Sequence, residues 1–256
     1  QEVIRSDRFT MAGNVAKYED AFADYHGRKY AVMVNSGSSA NLVAIAAFCH
    51  HSTRPLQRGD EVIIPTLAWA TTYSPFQQYG ITFRFVDIDI ETLGIDTSKL
   101  EEALSPRTKA ITAVSILGNP CALDTIKDFA DHHGLWFLED NCESLDAEHN
   151  GKKAGTFGDI STFSFFFSHH ISTIEGGMLL TDDLELCHLA KSLRSHGWTR
   201  DLPEKSTLFE KYDDDFFEAY RFILPAYNVR PQEINAAVGL EQLKKLPRFT
   251  EIRRKN

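Results

Sequence analysis

Short apolar runs alternate with amphipathic segments along nearly the whole chain, and this alternation constrains the fold more than any single motif. Val15, Tyr18, Phe22 and Tyr25 recur at helical spacing, and Gly27 closes that segment. Residues 29–34 read as a buried strand, and Asn35-Ser36-Gly37-Ser38-Ser39 as a turn into a helix that runs through His50. Residues 61–64 predict a strand, Thr66 a cap for the helix after it, and residues 82–86 the next strand. The rhythm continues with a strand over 109–114, a helix over 124–133 and a strand over 135–138. Strands over 160–166 and 177–180 and a helix over 183–196 complete it. Strands that are apolar on both faces and separated by helices need helices on both sides. The expectation is therefore an α/β fold with a mostly parallel sheet.

The chain of 256 residues is 43% hydrophobic and 25% charged, enough for one large core or one large domain plus part of a second. A net charge of -9 argues against nucleic acid or an anionic membrane as the main partner. No apolar run approaches the roughly 20 residues that span a bilayer. Cys49, Cys121, Cys142 and Cys187 lie far apart with no C-x-x-C spacing, the usage expected of reduced thiols in a cytoplasmic protein. Both ends read as cut: Gln1 is not a natural start, and Arg253-Arg254-Lys255-Asn256 follows a helical pattern without a cap signal. Residues 1–230 read as one domain. Residues 231–256 read as a connecting helix, with Ile234, Val238 and Leu243 near one face, and the start of something missing. Asp213-Asp214-Asp215 reads as a solvated excursion rather than a metal site.

Ligands of an open parallel sheet gather at the carboxyl ends of its strands, and three candidate groups fall at such places. Gly37 and Ser38 open a helix directly after a strand, where unpaired N–H groups can hold an anion; the same turn is equally a plain helix cap. Asp140, at the end of Leu135-Trp136-Phe137-Leu138-Glu139, can hold a protonated ring nitrogen; alone, it is equally a loop cap. Ser164 is followed five residues later by His169, one of ten histidines, and a lone histidine is more often structural than catalytic. His169 and His170 would point different ways along extended backbone, so no metal site is expected there.

Taken together, the order and spacing of these groups are far more specific than any one of them. The sequence resembles the DegT/DnrJ/EryC1/StrS family, the sugar-modifying branch of the aspartate-aminotransferase fold, across essentially the whole chain. The resemblance is carried by Val34-Asn35-Ser36-Gly37-Ser38-Ser39-Ala40, Gly59-Asp60-Glu61-Val62-Ile63-Ile64-Pro65, Phe85-Val86-Asp87-Ile88-Asp89 and Glu139-Asp140-Asn141-Cys142-Glu143. It continues in Gly155-Thr156-Phe157-Gly158-Asp159, Phe163-Ser164-Phe165, Glu175-Gly176-Gly177 and Tyr227-Asn228-Val229-Arg230. It implies the large domain of that fold, with a smaller C-terminal domain missing. Its cofactor would be pyridoxal or pyridoxamine phosphate. Gly37 and Ser38 N–H groups with the Ser164 hydroxyl would hold the phosphate. Trp69 would stack on the ring, Asp140 would pair with its nitrogen, and Glu143 would stand at its edge. Asn228 would reach the phosphate in a neighbouring subunit, which implies a homodimer.

The departure from the family pattern is His169. Other members place there the lysine that bonds covalently to the cofactor, and histidine cannot form that bond. The same substitution marks the family's sugar 3-dehydratases, and His169 then becomes the candidate base. One branch of that subgroup carries an iron–sulfur cluster on cysteines shortly after the histidine pair; residues 196–212 here contain no cysteine. The resemblance therefore implies the cluster-free branch, acting on a nucleotide-linked 4-keto-6-deoxy sugar (GDP-4-keto-6-deoxymannose) with glutamate as amino donor. His170 as the base, a sugar aminotransferase that tolerates histidine, and a non-catalytic nucleotide-sugar-binding relative are the alternatives.

Overall fold

The computed structural model describes residues 2–256. After a short helix α1 (Glu2–Arg5), α2 (Gly13–His26) leads into β1 (Tyr30–Val34) and α3 (Gly37–His50). Next come β2 (Glu61–Pro65), α4 (Ala70–Tyr79), β3 (Thr82–Val86), α5 (Leu100–Ala103), β4 (Thr108–Val114), α6 (Leu123–His133) and β5 (Trp136–Asp140). A two-residue hairpin, β6 (Glu148–His149) and β7 (Lys152–Lys153), precedes β8 (Ile160–Ser164), β9 (Gly177–Thr181) and α7 (Leu184–Leu193). The chain closes with α8 (Asp215–Ala219), α9 (Glu233–Leu243) and α10 (Leu246–Lys255).

Seven strands form one sheet in the order β1-β9-β8-β5-β4-β2-β3. The run from β8 through β5, β4 and β2 to β3 is parallel, whereas β9 is antiparallel to both β8 and β1. That single reversal has a consequence for the site. The carboxyl ends of β1, β5 and β8 and the amino end of β9 all open on one sheet edge, with Gly177 paired to both Val34 and Ser164.

Both sheet faces are covered. On one, α3 packs beneath the strands with Val43, Ala44, Ile45, Ala46, Ala47 and Phe48 all fully buried. A helix apolar all round is expected when it is enclosed on every side. On the other face, Tyr18 and Phe22 of α2 meet Phe163, Phe165 and Met178, while Ile126 and Ala130 of α6 cover Ile111 and Phe137. The predicted stop Gly27 adopts φ 67° and turns the chain after α2, and Gly134 does the same at φ 64° after α6, a conformation that glycine enters without a Cβ penalty.

Several expectations change. Thr66 caps no helix; its hydroxyl donates to Asp87, and α4 starts four residues later, after Trp69. β8 ends at Ser164 rather than at residue 166, because the chain turns there to leave Phe166 and Phe167 exposed. α7 ends at Leu193, and His196 takes φ 60° in the turn beyond it. Ile234 stays 37% exposed; Glu233, Asn235, Ala236, Gly239 and Leu243 are the buried positions of α9. Gly239 lets this helix approach α2, since a Cβ there would lie 2.6 Å from the Tyr18 ring. Asp214 caps α8, and among the described residues no group of three or more acidic, histidine or cysteine side chains could hold a metal.

Candidate active site

At the sheet edge defined above, a cavity of about 450 Å³ is lined by Gly37, Ser38, Trp69, Glu143, Ser164 and His169, with Ser36, Cys142, Phe166, Ser168 and Glu175 completing the wall. Seven of the eight predicted site residues meet here or directly beneath it. Gly37 and Ser38 begin α3, where the Ser36 side chain caps Ser39 N–H at 3.1 Å. The N–H groups of the first helical turn are thereby left facing the cavity, with the positive end of the helix behind them. Gly37 is required by contact: a Cβ would lie 2.5 Å from Ser164 Cβ and 2.9 Å from Cys142 Sγ. Its absence brings the helix terminus against the Ser164 hydroxyl.

Asp140, at the end of β5, is only 4% exposed. Its Oδ2 accepts from Asn41 Nδ2 at 2.9 Å and from the Thr72 hydroxyl at 2.7 Å, and its Oδ1 accepts from Cys142 N–H at 3.2 Å. Asn41 is itself oriented, because its Oδ1 accepts the Thr162 hydroxyl at 2.6 Å. Buried carboxylates need such donors. Asn41, Thr72 and Thr162 are thus part of the site, and none was identified from sequence. The available signal was Asn41 itself, a buried amide among Ala40, Val43 and Ala44 in an otherwise apolar helix. Glu139, buried beside Asp140 along the strand, has a different role. It accepts N–H bonds from Gly155, Phe157 and Gly158 at 2.7–2.8 Å and so fastens the loop that leads into β8.

Trp69 is 72% exposed at the head of α4, an indole on the cavity wall with no protein group packed over it. Glu143 accepts from Leu117 N–H at 2.9 Å. Burial pulls the pKa of His169 below the ordinary imidazole value, while the carboxylates of Glu143 and Asp140 pull it back up. Its neighbour is placed differently. His170 lies outside the cavity lining, its Nδ1 is buried without a partner, and its pKa is pushed down to about 4 by burial and by the charges of Arg253 and His169. The turn in which His169 N–H donates to Phe166 C=O at 3.0 Å separates the two side chains. Asn228 does not line the cavity; it is exposed beyond α7 and accepts from Arg230 Nε at 2.9 Å.

The arrangement can hold a flat, negatively tailed ring: donors at the α3 terminus for the anion, a buried carboxylate for a ring N–H, an indole face, and a neutral imidazole beside them. Cys142 adds a thiol kept protonated by burial. All four cysteines are free. Among the described residues no helix is long and apolar enough to cross a membrane.

The sequence pattern of the DegT/DnrJ/EryC1/StrS aminotransferase family matches residues 1–256. The GDP-4-keto-6-deoxy-D-mannose 3-dehydratase of Yersinia pseudotuberculosis is 54% identical over 257 residues, covering 100% of this chain and 65% of that protein. The structure of E. coli GDP-4-keto-6-deoxy-D-mannose-3-dehydratase with bound hydrated PLP superposes with a TM-score of 0.97 at 53% identity, over 100% of this chain and 66% of that one. A GDP-4-keto-6-deoxymannose-3-dehydratase with a trapped PLP–glutamate geminal diamine superposes equally well, at 52% identity over 100% and 67% of the two chains. The chain thus spans about two thirds of the length of these relatives.

Proposed function

The chain belongs to the DegT/DnrJ/EryC1/StrS aminotransferase family, and from that premise we propose that its whole protein is a pyridoxamine-phosphate-dependent 3-dehydratase. Its substrate would be a nucleotide-linked 4-keto-6-deoxy sugar, GDP-4-keto-6-deoxymannose, with glutamate as amino donor. The observation that carries this reading is His169. It lines the cavity at the position where the family pattern carries a lysine, beside the groups that would hold the cofactor within one chain, and no lysine is among the lining residues.

The residues present fit pyridoxamine phosphate. Gly37 and Ser38 N–H groups and the Ser164 hydroxyl would take the phosphate, Trp69 the ring face, and Asp140 the ring nitrogen. When bound, that group supplies an amine for the sugar's C-4 ketone and a ring that draws off an electron pair from the adjoining carbon.

The protein's own part is positioning and proton transfer. Asp140, held by Asn41, Thr72 and Cys142 N–H, is fixed in orientation before anything binds. His169, whose charged form burial disfavours, would accept at a ring nitrogen the proton lost from the cofactor carbon beside the amine, the electron pair left behind expelling the C-3 hydroxyl, and would return that proton so that the hydroxyl leaves as water. A lysine at this position would recapture the cofactor and favour delivery of an intact amino group to the sugar. Histidine removes that route, which favours loss of the hydroxyl and release of ammonia.

The proposal extends to a homodimer, supported by Asn228, which is exposed and outside its own chain's cavity, as a residue serving a neighbouring copy would be. It places the protein in the cytoplasm, in keeping with four free thiols, and it includes no iron–sulfur cluster. Residues 1–230 are the cofactor-binding domain in this reading, and 231–256 begin the connection onward. The test is to incubate the whole protein with GDP-4-keto-6-deoxymannose and glutamate. Free ammonia with a 3-deoxygenated sugar is expected; a stable amino sugar would overturn the reading.

A further inference from the structure

Glu175 lines the cavity, yet nothing in the mechanism uses it. Its backbone is held from several sides. The Glu175 carbonyl accepts the Thr173 hydroxyl at 2.9 Å and the amide of Asn235 from α9. Gly176 behind it has no room for a side chain, since a Cβ would meet Thr173 Oγ1 at 2.3 Å. The residue before it, Ile174, sits at φ 74°, a conformation unfavourable for a β-branched side chain. Ile174 is 59% exposed, so its own packing does not hold it there. The constraint serves the direction of the chain at Glu175. Because β9 runs antiparallel to its neighbours, the residues just before it arrive at the same sheet edge as Asp140 and Ser164.

The Glu175 carboxylate has no hydrogen bond or ion pair with any of the described residues; only its carbonyl is engaged. Nor does the cavity wall supply a lysine or arginine to pair with it. Glu175 is exposed on the cavity wall, and its carboxylate, free of protein donors, is open to a ligand that brings O–H groups. Glu175 also borders a second pocket of about 230 Å³, whose wall combines Met33, Val34, Ile174, Pro231 and Ile234 with the uncharged polar residues Asn35, Gln232 and Asn235. The apolar part of that wall offers contact to a methyl group and no cation for a charged one.

We propose that Glu175 and this adjoining pocket form the subsite that reads the sugar ring: the carboxylate accepts from ring hydroxyls, and the pocket takes the C-5 methyl of a 6-deoxy sugar. This rests on the function proposed above and adds to it the residues that select the sugar. Glutamate carries two carboxylates and a net negative charge near neutral pH, so a third carboxylate opposes its approach, whereas the sugar ring brings neutral O–H donors; Glu175 therefore acts on the sugar and not on the amino donor.

The two half-reactions separate the proposals. In the whole protein, glutamate alone should convert the bound cofactor to its amine form, read by absorbance; failure there would overturn the proposed function and, with it, the sugar subsite that rests on it. With conversion established, Glu175→Ala should raise KM for the nucleotide sugar at least about 10-fold while changing the glutamate half-reaction less than threefold. Glu175→Gln, which keeps one acceptor oxygen, should recover part of the loss. Ile234→Ser should narrow the preference for the 6-deoxy sugar over its 6-hydroxy counterpart. Unchanged sugar KM in Glu175→Ala, or equal damage to both half-reactions, would overturn the assignment, as would undiminished 6-deoxy preference in Ile234→Ser.

Discussion

Asn41 donates its side-chain N–H to Asp140 Oδ2 at 2.9 Å across 99 residues of sequence, joining the middle of α3 to the end of β5. This bond makes the carboxylate of a strand end into a fixed feature of the cavity floor. Asn41→Ala removes a donor and leaves a buried carboxylate under-satisfied, a change that costs about 1–3 kcal/mol. The expected result is a cofactor Kd raised roughly 10- to 100-fold, measured by titrating the whole protein with the cofactor. An unchanged Kd would mean that Thr72 and Cys142 N–H suffice.

Borohydride reduction of the wild-type protein with bound pyridoxal phosphate should leave no cofactor attached to the chain, because no lysine lines the cavity. In His169→Lys the cofactor should become covalently attached, visible by mass spectrometry. Deoxygenation should fall by at least about 100-fold, the usual worth of a positioned base. Undiminished turnover in that variant would remove His169 from the mechanism.

The pH dependence has a definite sign. Burial disfavours the imidazolium of His169 and lowers its pKa, while the charge of Glu143 raises it. A base works in its neutral form, so kcat/KM should rise with pH along an acid limb lying below the ordinary imidazole value of about 6.5 and level off by neutrality. Glu143→Gln removes the charge that favours the imidazolium, so the limb should move to still lower pH. Movement to higher pH would show that Glu143 reaches His169 by another route.

A fourth expectation concerns the scaffold. Ala12 precedes α2 but has no side chain to cap it. Glu233, the first residue of α9, supplies the cap from a distance: its carboxylate accepts from Ala12, Asn14 and Val15 N–H at 2.8–3.0 Å. Those bonds hold its pKa down against the effect of burial. Glu233→Ala should destabilise the protein by about 1–2 kcal/mol, the range for a lost helix cap, seen as a lower midpoint in urea. The loss should also appear in wild type as pH falls through the depressed carboxyl pKa, where protonation removes the acceptor. A midpoint unchanged from wild type would show that water serves α2 equally well.

Much of this was legible along the chain. The strand and helix periods placed all seven sheet strands and the main helices that cover them, and Gly27 marked the stop of α2. The motif order identified His169, Asp140, Ser164 and the Gly37-Ser38 turn as one site. Where the reading missed, the controlling partner was remote. Thr66 has the chemistry of a cap, but Asp87 takes its hydroxyl. Ile234 has the composition of a core residue, but the glycine at 239 turns a different face of α9 towards Tyr18. The cap of α2 lies more than 200 residues from the helix it serves.

The sequence by itself determined the layered α/β architecture, because periodicity is a local property, and its motifs carried the resemblance that implies the candidate site residues. Only the tertiary structure decided which histidine enters the cavity, which side chains hold Asp140, and that Glu175 stands beside them. Those outcomes depend on the crossing of non-adjacent strands, the one antiparallel strand β9 above all, and on close contacts such as that between Gly37 and Ser164. Hydrogen-bond partners and burial belong to the packed arrangement, and no stretch of the chain carries them alone.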